Sequence, residues 1–297
     1  PTFSGGGNGG TVLLQGGQMS QLLSQVASNP NLVEAAHFQE LASGQTLMAG
    51  GEGILLNSGS IQADTIRLDS SQATVHAAPG QLQGQDVRVL SAGSTVSQGS
   101  IASGFAEVSG HKLWLTGPVV ADTLLLDPDF IEITDTAPGT YDPILGTGLP
   151  STGSGTVSTS AITSATNLIL NANFDITYDG IGFSGSNTNL QLIAGRDISL
   201  QSSGAISLAS LRLQATRDVI LTGNPNMDIL TSGNLEVLAS NGDVRIGGNE
   251  VRLISDGTLD IQGVNIRSNT TGRTELTGVG NTHLRATTGD IDIQTFA

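Results

Sequence analysis

A repeat of 21 to 25 residues runs through the second half of the chain and constrains its fold more than any other feature. The first copies follow the template L-x-L-x-A-x-x-D-I-x-L, in which apolar and polar residues alternate, and the later copies keep its register with some changes of residue and spacing. Such alternation with a period of two is typical of strands, and the Gly, Asn, Ser and Asp residues between the strands are typical of turns. The Asp or Asn position of the template recurs at Asp175, Asp197, Asp218, Asp243, Asn265 and Asp290.

The first half of the chain has a related, shorter repeat. The segment 59–68, G-S-I-Q-A-D-T-I-R-L, matches the segment 117–126, G-P-V-V-A-D-T-L-L-L. A unit of about 20 residues cannot bury an apolar face alone, so it must stack on its neighbours. The sequence therefore predicts an all-β fold, a parallel β-solenoid, with about 11 coils from Ile54 onward. A β-sandwich is the main alternative, but its strands would not repeat one template in register.

Two stretches depart from the repeat, and they divide the chain into four predicted segments. Apolar residues at helical spacing near the start predict a small helical cap, which would cover the open edge of the first coil. These residues are Met19, Leu22, Leu23, Val26, Leu32, Val33, Ala35, Ala36 and Leu41. The predicted segments are a strand and helical cap over 1–50, a first solenoid section over 51–133, a Thr/Ser/Gly-rich excursion loop over 134–166, and a second solenoid section over 167–297.

Composition excludes several classes of function. Eleven Lys and Arg against 26 Asp and Glu give a net charge of −15, so nucleic acid is not expected as a partner. With no Cys, the chain has neither disulfides, nor a thiolate zinc site, nor a cysteine nucleophile. No run of about 18 apolar residues is present, so membrane insertion is not expected either.

The segment 121–133, A-D-T-L-L-L-D-P-D-F-I-E-I, is followed by a Gly/Ser/Thr-rich loop and then by a strand pattern at 167–170. In these motifs the chain resembles filamentous-haemagglutinin-type exoproteins, the passengers of bacterial two-partner secretion. The resemblance implies a right-handed parallel β-helix, export through an outer-membrane secretion partner, and an extracellular or cell-surface location. It also implies a role in adhesion, in surface structure, or in carrying a distal toxin.

The Asp column of the repeat is a candidate metal site. Stacked coils would align the carboxylates at about 4.8 Å, and such a ladder could bind Ca²⁺, which takes oxygen ligands. The sequence favours turn chemistry instead, because Asp and Asn bond to the local backbone. Arg196 and Arg217 directly precede two column residues and would relieve the repulsion. The candidate ligands are Asp175, Asp197, Asp218, Asp243 and Asp290.

Catalytic residues are a further possibility, because β-helices include polysaccharide lyases and hydrolases. Such enzymes need clustered carboxylates in one groove. Asp127 and Asp129 are the closest pair, but Asp127-Pro128 is explained as a turn that ends a strand. The segment 109–112, S-G-H-K, is the most enzyme-like tetrapeptide, and His37, His76, His111 and His283 are scattered. Trp114 and Phe105 could form a glycan-binding shelf, although packing is the favoured interpretation.

Both ends of the chain suggest assembly. The final residues 290–297 read as a strand of the repeat with no cap, and an open coil could stack end to end on another molecule and form a fibre. A strand near the start could complete the open edge of a neighbour. The candidate assembly residues are Thr11, Val12, Leu13, Leu14, Ile291, Ile293 and Phe296.

Together these features predict a secreted or cell-surface bacterial structural or adhesive β-solenoid that is not an enzyme and needs no cofactor. A glycan or a host-surface receptor is the expected external partner. The first alternative is the protomer of an extracellular filament that assembles by end-to-end stacking or strand donation. The second is a β-helix that binds or degrades polysaccharide.

Overall fold

The structure is a computed structural model that describes residues 2–4, 37–41, 45–49, 54–135, 154–159 and 165–294. The chain divides into two compact units: Pro1–Pro128 with Pro138–Thr156, and Asp129–Ala137 with Val157–Ala297. The described residues are all-β, and in each unit they form parallel β-solenoid turns, about ten in total. The predicted all-β parallel β-solenoid is therefore confirmed. Its right-handed sense stays a prediction.

In the first unit, each coil is built from short parallel strands that lie on the coils before and after it. Strand β8 runs around a whole coil, because it pairs in parallel with β5, β6 and β7 of the preceding turn and with β9 of the next. The described strands are β1 (Thr2–Ser4), β2 (His37–Leu41), β3 (Gln45–Ala49), β4 (Ile54–Asn57), β5 (Ser60–Gln62), β6 (Thr65–Ser70), β7 (Ala73–His76), β8 (Gln81–Ser97), β9 (Ser100–Leu115) and β10 (Val119–Asp127).

The second unit has the same parallel architecture, and β12 (Ser154–Ser158) lies where the chain passes from one unit to the other. Its remaining described strands are β11 (Phe130–Thr134), β13 (Ala165–Ala172), β14 (Ile176–Gly180), β15 (Phe183–Ala194), β16 (Ile198–Ser202), β17 (Ala205–Ala215), β18 (Val219–Thr231), β19 (Leu235–Ala239), β20 (Val244–Ser255), β21 (Thr258–Gly263), β22 (Ile266–Ser268), β23 (Thr274–Gly278), β24 (Asn281–Ala286) and β25 (Ile291–Ile293).

Three strand faces surround the core of the second unit. The first stacks β13, β15, β17, β19, β21 and β24 in that order. The second stacks β11, β14, β16, β18, β20, β22 and β25. The third is made by the start of β15, the start of β17, the ends of β18 and β20, and β23. One copy of the sequence repeat therefore supplies one strand to each face.

The repeat template sets the register between coils. Leu190 pairs with Leu211, Leu211 with Leu235, and Leu235 with Leu259, so equivalent leucines form one column. All four are at most 2% exposed. Burying each such side chain stabilises the fold by about 1.5–3 kcal/mol, which is why the template repeats apolar residues at these positions.

Glycine is required where neighbouring turns of the first unit approach each other closely. A Cβ atom on Gly117 would lie 2.1 Å from the carbonyl oxygen of Gly99. A Cβ atom on Gly99 would lie 2.3 Å from the imidazole Nε2 of His76. The regular glycines of the first-half repeat therefore include positions where any side chain would push two coils apart.

The N-terminal prediction needs correction at Leu41. This residue lies in strand β2, which pairs antiparallel with β3, and not in a helix. Strand β3 in turn pairs in parallel with β6, so the sheet supplies backbone partners that helical spacing alone does not reveal. The other predicted cap residues, Met19 to Ala36, lie outside the described residues. Within the predicted excursion over 134–166 the structure has strand β12 and the start of β13.

Neighbouring positions on β18 offer a test of the inward and outward alternation. Leu221 is fully buried and Ile220 is half-buried. We expect Leu221→Ala to lower the free energy of unfolding by about 2–5 kcal/mol, because it leaves a cavity in the column. The matched change Ile220→Ala should lower it by about 1 kcal/mol or less, because at a half-buried position the main loss is strand propensity, which spans about 1 kcal/mol. Urea denaturation followed by circular dichroism measures both, and equal losses would contradict the alternation.

Candidate functional site

The Asp and Asn column of the second unit forms a hydrogen-bonded ladder. Each side chain accepts a hydrogen bond through its Oδ1 from the backbone N–H of the next column residue. The five N–H to Oδ1 bonds run from Asp197 to Asp175, from Asp218 to Asp197, from Asp243 to Asp218, from Asn265 to Asp243 and from Asp290 to Asn265, at 2.8–3.2 Å. The column therefore ties every coil to the one before it.

Arginines neutralise the carboxylates of this ladder. The guanidinium of Arg196 donates two hydrogen bonds to Asp175, and that of Arg217 donates two to Asp197. The bonds from Arg217 hold the pKa of the Asp197 carboxyl below its ordinary value. The arginines that the sequence predicts beside the column are thus in contact with it.

Arg245 continues the same arrangement, because its Nη2 lies 3.1 Å from an oxygen of Asp218 and 3.7 Å from one of Asp243. Within the described ranges, no group of three or more His, Asp or Glu side chains is placed to hold a metal ion. The carboxylates of Asp175, Asp197, Asp218 and Asp243 each have a backbone N–H partner and a guanidinium partner. For these four candidate ligands the geometry therefore favours turn chemistry over a Ca²⁺ ladder.

An aromatic pair lies at the turn where this ladder begins. The rings of Phe130 and Phe174 stack with their centroids 4.8 Å apart. The guanidinium carbon of Arg196 lies 6.0 Å and 5.8 Å from the two ring centroids, within cation–π distance. The sequence did not predict this contact, although Phe174 directly precedes the first column residue, Asp175.

The residues considered for catalysis and glycan stacking do not come together as one site. Trp114 is 5% exposed and packs in the core with Val75 and Val96, so it forms no shelf with Phe105. Phe105 is half-buried, and the guanidinium carbon of Arg88 lies 5.3 Å from its ring centroid. The favoured packing interpretation of Trp114 is confirmed.

The other catalytic candidates have structural partners. Ser109 Oγ donates a 3.1 Å hydrogen bond to Glu107 Oε1, which is not the pairing that a Ser–His nucleophile requires. Asp129 Oδ1 accepts a 2.9 Å hydrogen bond from the amide of Asn173 in the next coil.

His76 is fully buried in the first unit and is held as a neutral ring. Its Nε2 lies 3.2 Å from the carbonyl oxygen of Ser100, to which it can only donate. Its Nδ1 lies 3.2 Å from the amide nitrogen of Asn57, and Gly59 fixes the orientation of that amide through two further hydrogen bonds. Burial lowers the pKa of His76. Its role is therefore to pack between coils.

A polar groove crosses four successive coils of the first unit. It has a volume of about 520 Å³, within the range of ligand sites in proteins. Equivalent residues of the turn after β5 form its three parallel rows. The outer row contains Gln62, Gln83 and Ala102, the floor contains Ala63, Gly84 and Ser103, and the wall contains Asp64, Gln85, Gly104 and Asp122.

The backbone register builds these rows. Gln62 pairs with Gln83, and Gln83 pairs with Ala102 in the following coil. In the wall row the carbonyl oxygen of Asp64 accepts the N–H of Gln85 at 2.8 Å. Asp64 and Asp122 occupy the first and fourth coils, so their backbone positions are about 14 Å apart at a strand spacing of about 4.8 Å.

The repeat pattern alone does not predict this groove, although Asp64 and Asp122 belong to the matched A-D-T segments. The signal for it is that the wall position is polar or small in each of the four coils, whereas the position three residues earlier, Ile61, Leu82, Ile101 or Val119, stays apolar.

Two of the predicted assembly residues are described by the structure. Ile291 and Ile293 lie in β25, and Ile291 is 46% exposed. The other candidates, Thr11, Val12, Leu13, Leu14 and Phe296, lie outside the described residues. Their role in assembly stays a prediction.

The fold and the candidate sites assign the chain to one structural class, the parallel β-solenoids, and do not assign it to a family within that class. Comparison with known proteins finds no family model, no curated protein and no solved structure that matches the chain. The resemblance to filamentous-haemagglutinin-type exoproteins therefore rests on the sequence motifs alone. No helix in the described part of the chain is long and apolar enough to cross a membrane.

The ladder makes a testable prediction at Asp218, whose side chain is 14% exposed. Asp218→Ala removes the acceptor of the Asp243 N–H, and we expect it to lower the free energy of unfolding by about 1–3 kcal/mol. Asp218→Asn keeps an amide oxygen as acceptor, as Asn265 does naturally, and should cost about 1 kcal/mol or less because only an ion pair is weakened. If urea denaturation gave the same loss of unfolding free energy for both variants, the charge of Asp218, and not its hydrogen bond to the backbone, would be the stabilising interaction.

His76 predicts a dependence of stability on pH. Its pKa is lowered on folding, so the folded state binds fewer protons than the unfolded state. The stabilisation should be complete above the unfolded pKa of about 6.5 and should be lost as the pH falls below it. Thermal midpoints between about pH 7.5 and 5 measure the effect. His76→Asn should flatten the profile, and an unchanged slope in that variant would refute the assignment.

Proposed function

We propose that the protein is a structural and adhesive β-solenoid of the bacterial cell surface, secreted and non-enzymatic. The observation that carries this proposal is the regular stacking of equivalent coils, in which the template leucines of the second unit form one buried column. Such a fold is a scaffold whose turns and outer faces present side chains at fixed spacing. The motif at 121–133, which resembles filamentous-haemagglutinin-type exoproteins, supports the location.

The physical properties of the chain suit this role. Each described coil is bonded to its neighbours through backbone ladders, and in the second unit also through the Asp and Asn column, so local opening requires several bonds to break together. The charge of −15 favours solubility outside the cell. We propose an outer-membrane secretion partner, as in the proteins that the motif resembles, and a glycan or a receptor on another surface as the adhesive partner.

Adhesion can be tested with the purified chain on beads. We expect beads that carry the native chain to attach to epithelial cells or to bacterial cells severalfold more often than beads that carry albumin. Chain that has been unfolded by heat should lose the effect, because adhesion by a solenoid depends on its stacked surface. Equal attachment of native, unfolded and albumin-coated beads would refute an adhesive role.

Location needs a separate test in the bacterium that encodes the chain. Protease added to intact cells should remove the protein, and deletion of the proposed outer-membrane partner should leave it protected inside. Protection in cells that still have this partner would argue against a surface location.

A further inference from the structure

We propose that the groove of the first unit binds an extended, uncharged polysaccharide. This inference rests on the adhesive function proposed above and names the ligand class that one surface of the scaffold would recognise. The groove is the open polar surface formed by the outer, floor and wall rows over coils that begin near Gln62, Gln83, Ala102 and Val120. The shape, the charge, the hydrogen-bonding capacity and the coil-to-coil spacing of the groove all favour this ligand.

The shape of the groove suits a linear chain. It runs across the coils over about 14 Å, and small residues keep its floor low. A Cβ atom on Gly84 would lie 2.4 Å from the carbonyl oxygen of Ala63, so that position admits no side chain. A Cβ atom on Gly104 would lie 3.2 Å from the carbonyl oxygen of Gln85 and 3.3 Å from its Oε1. Gly84 therefore keeps the floor low, and Gly104 leaves the wall row open between Gln85 and Asp122.

Charge excludes one class of polysaccharide. Among the described residues, the lining includes two carboxylates, Asp64 and Asp122, and no Lys or Arg. A uronate or sulfated polymer would place its own negative charges beside these carboxylates, in a chain whose net charge is already −15. Like charges at this distance repel, so an acidic polymer would bind poorly.

Hydrogen-bonding capacity separates a polysaccharide from a polyamine. Gln62, Gln83 and Gln85 are exposed, and each amide has both a donor group and an acceptor group. Sugar hydroxyls also donate and accept, so they can use both ends of every amide. A polyamine can only donate hydrogen bonds, so it could use the amide oxygens but would offer no acceptor to the amide N–H groups. The three glutamines therefore favour a polyhydroxylated ligand.

Spacing gives a fourth argument. The outer row repeats at about 4.8 Å from coil to coil, because Gln62, Gln83 and Ala102 are paired neighbours in parallel strands. In an extended polysaccharide one sugar unit advances by a similar length. Successive sugars can therefore meet equivalent positions on successive coils, which a ligand without such a repeat cannot do.

The inference can be tested by native gel electrophoresis of the whole chain through gels that contain a neutral polysaccharide. The probes are hydroxyethyl cellulose, dextran and galactomannan, with polygalacturonate as the acidic comparison. We expect at least one neutral probe to retard the chain and polygalacturonate to leave its mobility unchanged. The concentration dependence of the retardation measures the apparent dissociation constant. If no neutral probe causes retardation, the inference is wrong.

Variants then locate the binding. Gln83→Ala with Gln85→Ala removes two hydrogen-bonding side chains, and we expect the apparent dissociation constant to rise at least about fivefold. The matched control Gln72→Ala truncates an exposed glutamine of the same unit that does not line the groove, and binding should not change. All three positions are exposed, so thermal midpoints should stay close to that of the parent chain and show that the variants are folded. Equal retardation of the double variant and the parent would overturn the assignment.

A second pair of substitutions tests the class of ligand. Asp64→Asn with Asp122→Asn removes both charges and keeps polar groups in place, so the dissociation constant for a neutral probe should change less than about threefold. Spermine, followed by calorimetry, is the competing ligand class. Tight spermine binding that this double variant abolishes, together with no retardation by neutral probes, would show a cation site and overturn the proposal.

The outcomes separate this inference from the proposed function. Beads that adhere normally while no polysaccharide binds would refute the groove and leave the adhesive role intact. Specific polysaccharide binding without adhesion of the beads would support the groove and refute the adhesive role.

Discussion

The contact of one coil with the next is the interaction on which the rest of this structure depends. A single coil of about 20 residues has too little apolar surface to fold alone. Stacking places the leucine of one repeat on the leucine of the next, with their strands bonded in parallel. Hydrophobic burial and the backbone ladder thus arise from the same step, and neither forms without the neighbouring coil.

Stacking also places the same side chain of successive repeats next to each other, so one residue type forms a column. An Asp at one turn becomes a column of carboxylates in the second unit, and such a column would repel itself. The structure offsets the repulsion, because each Oδ1 accepts a backbone N–H from the next coil and Arg196, Arg217 and Arg245 lie beside the column. In the first unit the groove rows are mixed, and their glutamine, aspartate and glycine residues line an open polar surface.

Sequence reasoning succeeded where a property repeats at fixed spacing and failed where it does not. The solenoid, the buried columns and the arginines beside the Asp column could all be predicted from the repeat. The helical interpretation was wrong at Leu41, because apolar spacing does not show that β3 is available as a strand partner. The groove was missed because the equivalent residues Asp64, Gln85 and Gly104 share neither a residue type nor a recognisable motif.

By itself the sequence determined the period, the alternation and the turn residues, and these favour parallel stacked strands because stacking coils in register buries the same position of every repeat. Only the tertiary structure decided which non-equivalent side chains become neighbours across coils. Residues about 20 positions apart, such as Asp64 and Gln85, meet because the register between two coils is set by every strand pair at once. The groove is therefore a property of the stack and of no single repeat.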